Sequence, residues 1–438
     1  MPARIRCGVL RSEADEDKLP TPTIDPGPLP AAHDWCPPLI HFLVDSFGDL
    51  IHASPWLGAL GVFEFIEFRA VLAIIVAFLM VVGMGRRTIG WLMLKKIGDN
   101  PDFGRADVNE LMKAKSNTPT MGGVMIAASI FGTTLLLADL GSYYVRMAMV
   151  CLVCLFLLGL VDDWLKLTSA QRKAGRQGLF SWEKMLFQVA LAAILGLFIS
   201  RYSDGKFITG DVYQGMARSV NLPGVKTWVR EAGQFLPSPN LIVMSEVVFV
   251  LVAVVVIVGS SNAVNLTDGM DGLASGITVI VGFAFLLLCF IAGYAHEDFV
   301  LAKYLLVPHI PLSDELAVVA GAMVGACLGF LWFNCSPAQV FMGDTGSLPL
   351  GGLLGYIAVV IRQEFLLLVI GGVFVLEAVS VILQVGYFKL TKGRRIFRCA
   401  PIHHHFHLGG WTEQQVVVRF WLITALLAAV ALATVKIR

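Results

Sequence analysis

Apolar residues in this chain come in long runs separated by short polar stretches. Ten such runs, about 68–85, 119–140, 145–161, 183–200, 243–264, 272–294, 316–333, 345–361, 365–388 and 418–435, stand out. Roughly 20 apolar residues in helical form cross the hydrocarbon layer of a bilayer. The pattern therefore predicts an all-α, polytopic integral membrane protein of about ten transmembrane helices, occupying residues 67–438. An even number of spans puts both ends of that domain on one side. Basic loops stay cytoplasmic. The odd-numbered loops between runs hold 18 Lys and Arg against 8 in the even-numbered ones, so the odd loops are expected to face the cytoplasm.

Residues 1–66 follow a different pattern. Segment 1–37 is Pro-rich and acidic in places (EADEDK, PTPTIDPGPLP), and reads as a poorly ordered extracytoplasmic tail. It lacks the basic-then-apolar start of a signal peptide. Segment 39–66 is apolar but broken by Asp45, Asp49 and Pro55, and reads as an interfacial helix rather than a span.

Composition agrees with the pattern. The 438 residues are 56% hydrophobic and 15% charged, against about 45–50% and about 25% in soluble chains, which excludes an ordinary soluble, fibrous or disordered protein. Mean hydropathy is +0.74. Lys and Arg number 33 against 32 Asp and Glu, a balance that gives no reason to expect a nucleic-acid partner. The eight cysteines form no paired framework, and Cys151 and Cys154 lie mid-run in CLVCLFLLGL, where helix packing is the better reading.

Polar residues in or beside spans are costly and read as functional by default. Here they gather at the ends expected to be cytoplasmic: Lys115 and Thr120 (KSNTPTMGG), Asp162 and Asp163 (GLVDDWLK), Asp268 and Asp271 (NLTDGMDG), Asp344 (FMGDTGSL) and the histidines 403–405 and 407 (APIHHHFHLGGW). One-sided polar chemistry suits an interfacial enzyme, whereas a transporter places its polar groups near the midplane. Glu377 is the only acid well inside a run. Each motif also has a plainer reading. The adjacent aspartates could mark a helix leaving the membrane. Asp268 and Asp271 share a face and could hold a ligand ring or a cation if helical, or could be solvated acids of a Gly-rich turn. The GDTGS stretch could bind phosphate at a helix N-terminus, or simply cap it. The histidines could be a metal site, or a polar loop that hydrogen-bonds phosphate or donates protons. Together the parts suit phosphoryl transfer: carboxylates around a diphosphate need a cation, and Mg²⁺ held by one or two of them is the usual arrangement. With most of the chain in lipid, a membrane lipid is the expected second substrate.

At these residues the chain resembles the phospho-N-acetylmuramoyl-pentapeptide transferases, a branch of the polyprenyl-phosphate N-acetylhexosamine-1-phosphate transferases. NLTDGMDGLA, FMGDTGSL, TPTMGG, the Asp pair and above all APIHHHFHLGGW carry the likeness, from about residue 67 onward. The resemblance implies ten spans with both termini outside. It also implies an Mg²⁺-dependent transfer of phospho-N-acetylmuramoyl-pentapeptide from UDP-MurNAc-pentapeptide to undecaprenyl phosphate, giving lipid I and UMP in the bacterial inner membrane, with a homodimer left open. By the same resemblance Asp344 is the metal ligand, Asp162 the acid that deprotonates the lipid phosphate and Asp163 its partner. His403 joins these in the catalytic set. Asn265, Asp268 and Asp271 line the nucleotide side. Phe341 stacks on uracil, and Gly343 and Ser347 flank the metal ligand. Lys115, Thr120, Lys166 and Lys184 surround the phosphates and nucleoside, and Asn334, Gln384 and His404 complete the wall. Departures from the family are His407 where a Glu is usual, a longer basic loop from Asp163 to Lys184 and an expanded loop 201–240. The rival within the superfamily is a GlcNAc-1-phosphate transferase, against which the triple-His loop argues.

Overall fold

The structure, a computed structural model, describes residues 58–94, 118–172, 178–204, 215–231, 233–296 and 299–436. The expected tail 1–37, most of segment 39–66 and Lys115 lie outside the described residues. A 3-10 turn, Gly58–Glu64, leads into α1 (Ile66–Leu94). There follow α2 (Gly123–Leu137), α3 (Tyr143–Arg172), α4 (Ser181–Asp204), α5 (Glu246–Thr267), α6 (Leu273–Gly293), the short α7 (Leu301–Leu305) and α8 (Leu316–Asn334). The chain continues through α9 (Asp344–Val360), α10 (Glu364–Ile370), α11 (Gly372–Leu390), α12 (Ile402–His407) and α13 (Glu413–Lys436).

All ten apolar runs fall on helices. Among the described residues eight helices, α1, α3, α4, α5, α6, α8, α11 and α13, are long and apolar enough to cross a membrane. The helices at 119–140 and 345–361 are shorter, 15 and 17 residues. The ninth run is not one helix: it breaks at Gly371 into α10 and α11. Two small antiparallel hairpins interrupt the helical pattern, β1 (Trp228–Glu231) with β2 (Gln234–Pro237) and β3 (Ala295–His296) with β4 (Phe299–Val300).

Lipid is as apolar as leucine, so burial from water does not hold membrane helices together; close packing and hydrogen bonds do. Small residues supply the close packing. Gly321, Gly325 and Gly329 form one face of α8, and their α-carbons lie against the carbonyls of Ala70, Ile74 and Phe78 in α1. A bidentate Arg69–Glu315 pair, 2.9 and 2.6 Å, ties the starts of the same two helices. Helix α9 is buried along its whole length between α3 and α5. Outward-facing rows such as Val247, Leu251 and Val255 are 70, 60 and 72% exposed, the apolar stripe expected against lipid. The structure is thus a multi-pass membrane protein with a central helix whose N-terminus carries Asp344.

Candidate active site

Two helices bring the acidic residues together. Asp162 and Asp163 stand on α3 and Asp344 opens α9, and their carboxylate oxygens lie within 4.8 Å of one another. All three are buried. At an effective dielectric of about 20, two like charges 4 Å apart repel by about 4 kcal/mol, so such a cluster requires counter-charge. Two lysines provide it. Lys184 of α4 donates to Asp162 Oδ2 and to Asp344 Oδ2, both at 2.7 Å. Lys166, one turn after Asp162, lies 2.8 Å from Asp162 Oδ2 and 3.4 Å from Asp344 Oδ2. Asp162 Oδ1 accepts from the Leu179 N–H at 2.8 Å, which anchors the chain entering α4. Three carboxylates against two ammonium groups leave room for one more positive charge.

The remaining motif residues build the loop that presents Asp344. Asp163 accepts from the N–H groups of Asp344 (3.3 Å) and Thr345 (2.9 Å) and from the Thr345 hydroxyl (2.6 Å), capping α9 with a side chain from another helix. Asp268 accepts from Gly343 N–H at 3.2 Å and Asp271 from Ala338 N–H at 3.1 Å. Asn334 accepts from Gly272 N–H and donates to the Val340 carbonyl, at 3.0 and 2.9 Å. The Ser347 hydroxyl donates to the Gly343 carbonyl. Residues 119–123 pair with the same loop: Phe341 N–H donates to Pro119, and Gly122 and Gly123 donate to Phe341 and Met342. Gly343 sits at φ +72°, ψ 177°, and a Cβ there would stand 2.7 Å from Asp163 Oδ2 and 3.0 Å from Thr120 Oγ1.

Asp268 and Asp271 do not share a helix. They occupy the turn between α5 and α6. Burial pushes the Asp268 carboxyl up to about 7; the Asp344 carboxylate adds to this, and the Gly343 N–H opposes it.

In the histidine loop the four rings separate in role. His403 and His404 are buried, with ring centroids 4.2 Å apart. His405 Nδ1 accepts from Arg398 N–H at 3.0 Å, and His407 Nδ1 lies 3.0 Å from the Trp411 carbonyl. These two shape the loop itself. Gln384 does so as well, accepting from Ile396 and Phe397 N–H and donating to the Phe397 carbonyl. Among the described residues the only group of three or more His, Cys, Asp or Glu side chains placed to hold a metal is Asp162, Asp163 and Asp344. Asn265 and Phe341 are half-buried beside the turn and the loop. Sequence reasoning missed Thr345, which completes the cap, and Glu413, which accepts from Asp271 N–H at 2.9 Å. Both stand beside motif residues, but a hydroxyl or carboxylate that bonds across helices leaves no spacing signal.

Residues 145–362, which carry the aspartate cluster, match the glycosyl transferase family 4, and residues 115–126 match a phospho-N-acetylmuramoyl-pentapeptide-transferase signature. By family match and apolar helices the chain is thus a membrane-embedded glycosyl transferase. Over 389 residues the chain is 44% identical to the phospho-N-acetylmuramoyl-pentapeptide-transferase of Thermodesulfovibrio yellowstonii, covering 89% of this chain and 99% of the relative. It is 42% identical to the enzymes of the same name from Desulfotalea psychrophila (86 and 95% covered) and Oleidesulfovibrio alaskensis (88 and 98% covered). The chain belongs to the phospho-N-acetylmuramoyl-pentapeptide-transferase family.

Proposed function

We propose that the protein transfers phospho-N-acetylmuramoyl-pentapeptide from UDP-MurNAc-pentapeptide to undecaprenyl phosphate, releasing UMP and forming lipid I at the cytoplasmic face of a bacterial inner membrane. The observation that carries this reading is the buried cluster of three aspartates and two lysines at the head of α9. Phosphoryl transfer depends mainly on positioning and charge stabilisation, and the cluster supplies both. Lys166 and Lys184 offer ammonium groups to the phosphates. Asp163, Asp268 and Asp271 hold the loop that sets Asp344 in place. Asp162 takes the proton of the lipid phosphate and readies it to attack. Phe341, three residues before Asp344, stacks on the uracil.

The donor set suits Mg²⁺: oxygens only, from three carboxylates, with no thiolate or imidazole. Asp344 would hold the ion, with Asp162 and Asp163 beside it. When bound, Mg²⁺ offsets the phosphate charge and polarises the phosphoryl oxygens.

A lipid co-substrate is supported by an apolar groove of about 470 Å³ between α5 and α10–α11. Its walls include Val252, Val256, Leu368 and Val379, and it runs from Arg362 and Glu364 to Val264, the residue before Asn265. A prenyl chain lying there would bring its phosphate toward the site along α5.

The test is to offer purified protein undecaprenyl phosphate with either UDP-MurNAc-pentapeptide or UDP-GlcNAc. UMP release and a lipid product are expected with the first donor alone. Turnover of UDP-GlcNAc in preference would replace this reading with that of a sister enzyme.

A further inference from the structure

Glu377 lies in the second turn of α11, fully buried, where a helix facing lipid and protein would ordinarily carry an apolar residue. An acid there costs a few kcal/mol and marks a partner. Its partner is His403 of α12, also fully buried, with Nδ1 3.1 Å from Glu377 Oε2. Glu377 Oε2 also lies 3.5 Å from the His403 backbone N–H, so the same oxygen faces both the ring and the start of α12. Each member of the pair keeps one buried atom without a hydrogen bond, Oε1 of Glu377 and Nε2 of His403. Buried polar atoms are nearly always satisfied, so two orphans in one pair need an explanation beyond helix packing.

The ring's direction supplies one. Nε2 points at Gly269 so closely that a Cβ on that residue would stand 2.5 Å from it. Gly269 belongs to the turn that carries Asp268 and Asp271, whose carboxylates hold the Asp344 loop. A carboxylate can only accept hydrogen bonds, so whenever Glu377 is ionised the proton of a neutral His403 belongs on Nδ1. Nε2 is then the bare nitrogen, free to accept or take up a proton at the turn.

We propose that Glu377 is a positioning residue for His403, fixing the proton on Nδ1 and aiming Nε2 at the Asp268–Asp271 turn of the active site. A carboxylate behind a working imidazole sets both its tautomer and its basicity, and removing such a partner costs roughly 10- to 100-fold in comparable metal-ligand settings. The pairing rests on geometry alone; only its kinetic consequence rests on the reaction proposed above.

Two measurements test it. In protein labelled with ¹⁵N-histidine, the His403 resonances, identified by their loss in His403→Gln, should at pH 8 show Nδ1 protonated and Nε2 bare. In Glu377→Gln the two tautomers should mix. A wild-type His403 protonated on Nε2 and bare on Nδ1 overturns the proposal without reference to any substrate. In the UMP-release assay, with turnover counted per UMP-binding site, Glu377→Gln should lower kcat by about 10- to 100-fold and leave KM for the UDP-substrate within about threefold. Adding Glu377→Gln to His403→Gln should slow the enzyme by less than about threefold more, because the two act as one unit. Wild-type turnover in Glu377→Gln, or losses that multiply in the double variant, would refute it. Should the wild-type protein release no UMP, the proposed reaction fails, and the NMR measurement still decides the pairing.

Discussion

At Gly343 the backbone adopts φ +72° and ψ 177°, a region open almost only to glycine. The reason lies in its neighbours: Asp163 Oδ2 and Thr120 Oγ1 press on the space a Cβ would fill. Gly343→Ala carries strain of about 1–3 kcal/mol and displaces the carboxylate that caps α9. Its turnover is expected to fall roughly tenfold or more, one factor of ten corresponding to about 1.4 kcal/mol; UMP release checks this. Asp162 permits a sharper test of role. A phosphate monoester loses its second proton near pH 6. If Asp162 only removes that proton, the slow turnover of Asp162→Asn should recover as the assay moves from pH 6 to pH 9. A pH-independent defect would give Asp162 a different task.

At the scale of elements, the packing of α8 on α1 depends on having no side chain at three positions one turn apart. Gly325→Leu would drive a branched side chain into the Ile74 carbonyl. Overpacking of this kind costs about 1–3 kcal/mol or more, so the variant should show a clearly lower Tm in detergent, while Gly386→Ala, where the added methyl meets open space, should change little. This scale also shows what could be read from the sequence. Every long helix was legible, because a span is a local statement about some twenty neighbouring residues. The break at Gly371 was read through, because the apolar residues on both sides of the Gly371–Gly372 pair continue at span length and outweighed the turn signal that two adjacent glycines carry. The hairpins 228–237 and 295–300 were not legible, since they lie in stretches read only as loops. Within the site, the aspartates and histidines were visible as costly residues at span ends, whereas Lys166 and Lys184 came only through the family resemblance. That Asp163, Asp268 and Asp271 all bond to one loop was not visible, because it requires three helices to meet. Glu377 stood out as a buried acid, but its partner, 26 residues away, emerges only when α12 folds back on α11.

Over the whole molecule, the two ends of the bundle do different work. The end away from the acid cluster is held by polar groups with no evident part in chemistry: Arg69 with Glu315, and His309 against the Ala292 carbonyl at 3.0 Å. Burial lowers the His309 pKa to about 4 from an ordinary value of 6.5. The unfolded chain therefore binds the proton first as pH falls. The stability His309 contributes is complete above about 6.5 and is lost as pH drops through the interval down to about 4. Asp314 nearby has the opposite tendency, its carboxyl raised to about 6 mainly by burial, so the wild-type curve alone mixes the two. The difference in Tm between wild type and His309→Gln isolates the histidine. That difference should favour wild type at pH 7 and shrink toward pH 4.5; a constant difference would contradict the assignment.

The proposed reaction requires the carboxylates gathered at the head of α9 to manage the charge of a transferring phosphate. Asp344→Asn keeps the shape of the side chain, removes one negative charge from the cluster and leaves the Asp163 cap of the helix in place. The direct measurement is UMP release by purified wild type and Asp344→Asn, with UDP-MurNAc-pentapeptide and undecaprenyl phosphate, with Mg²⁺ and after its removal by chelation. Wild type should be active only with the ion. The variant should be slower by at least about a hundredfold, the order expected when a principal electrostatic group of the transition state is lost, with its Tm nearly unchanged. Near-normal, Mg²⁺-dependent turnover in Asp344→Asn would place the chemistry elsewhere and contradict the account.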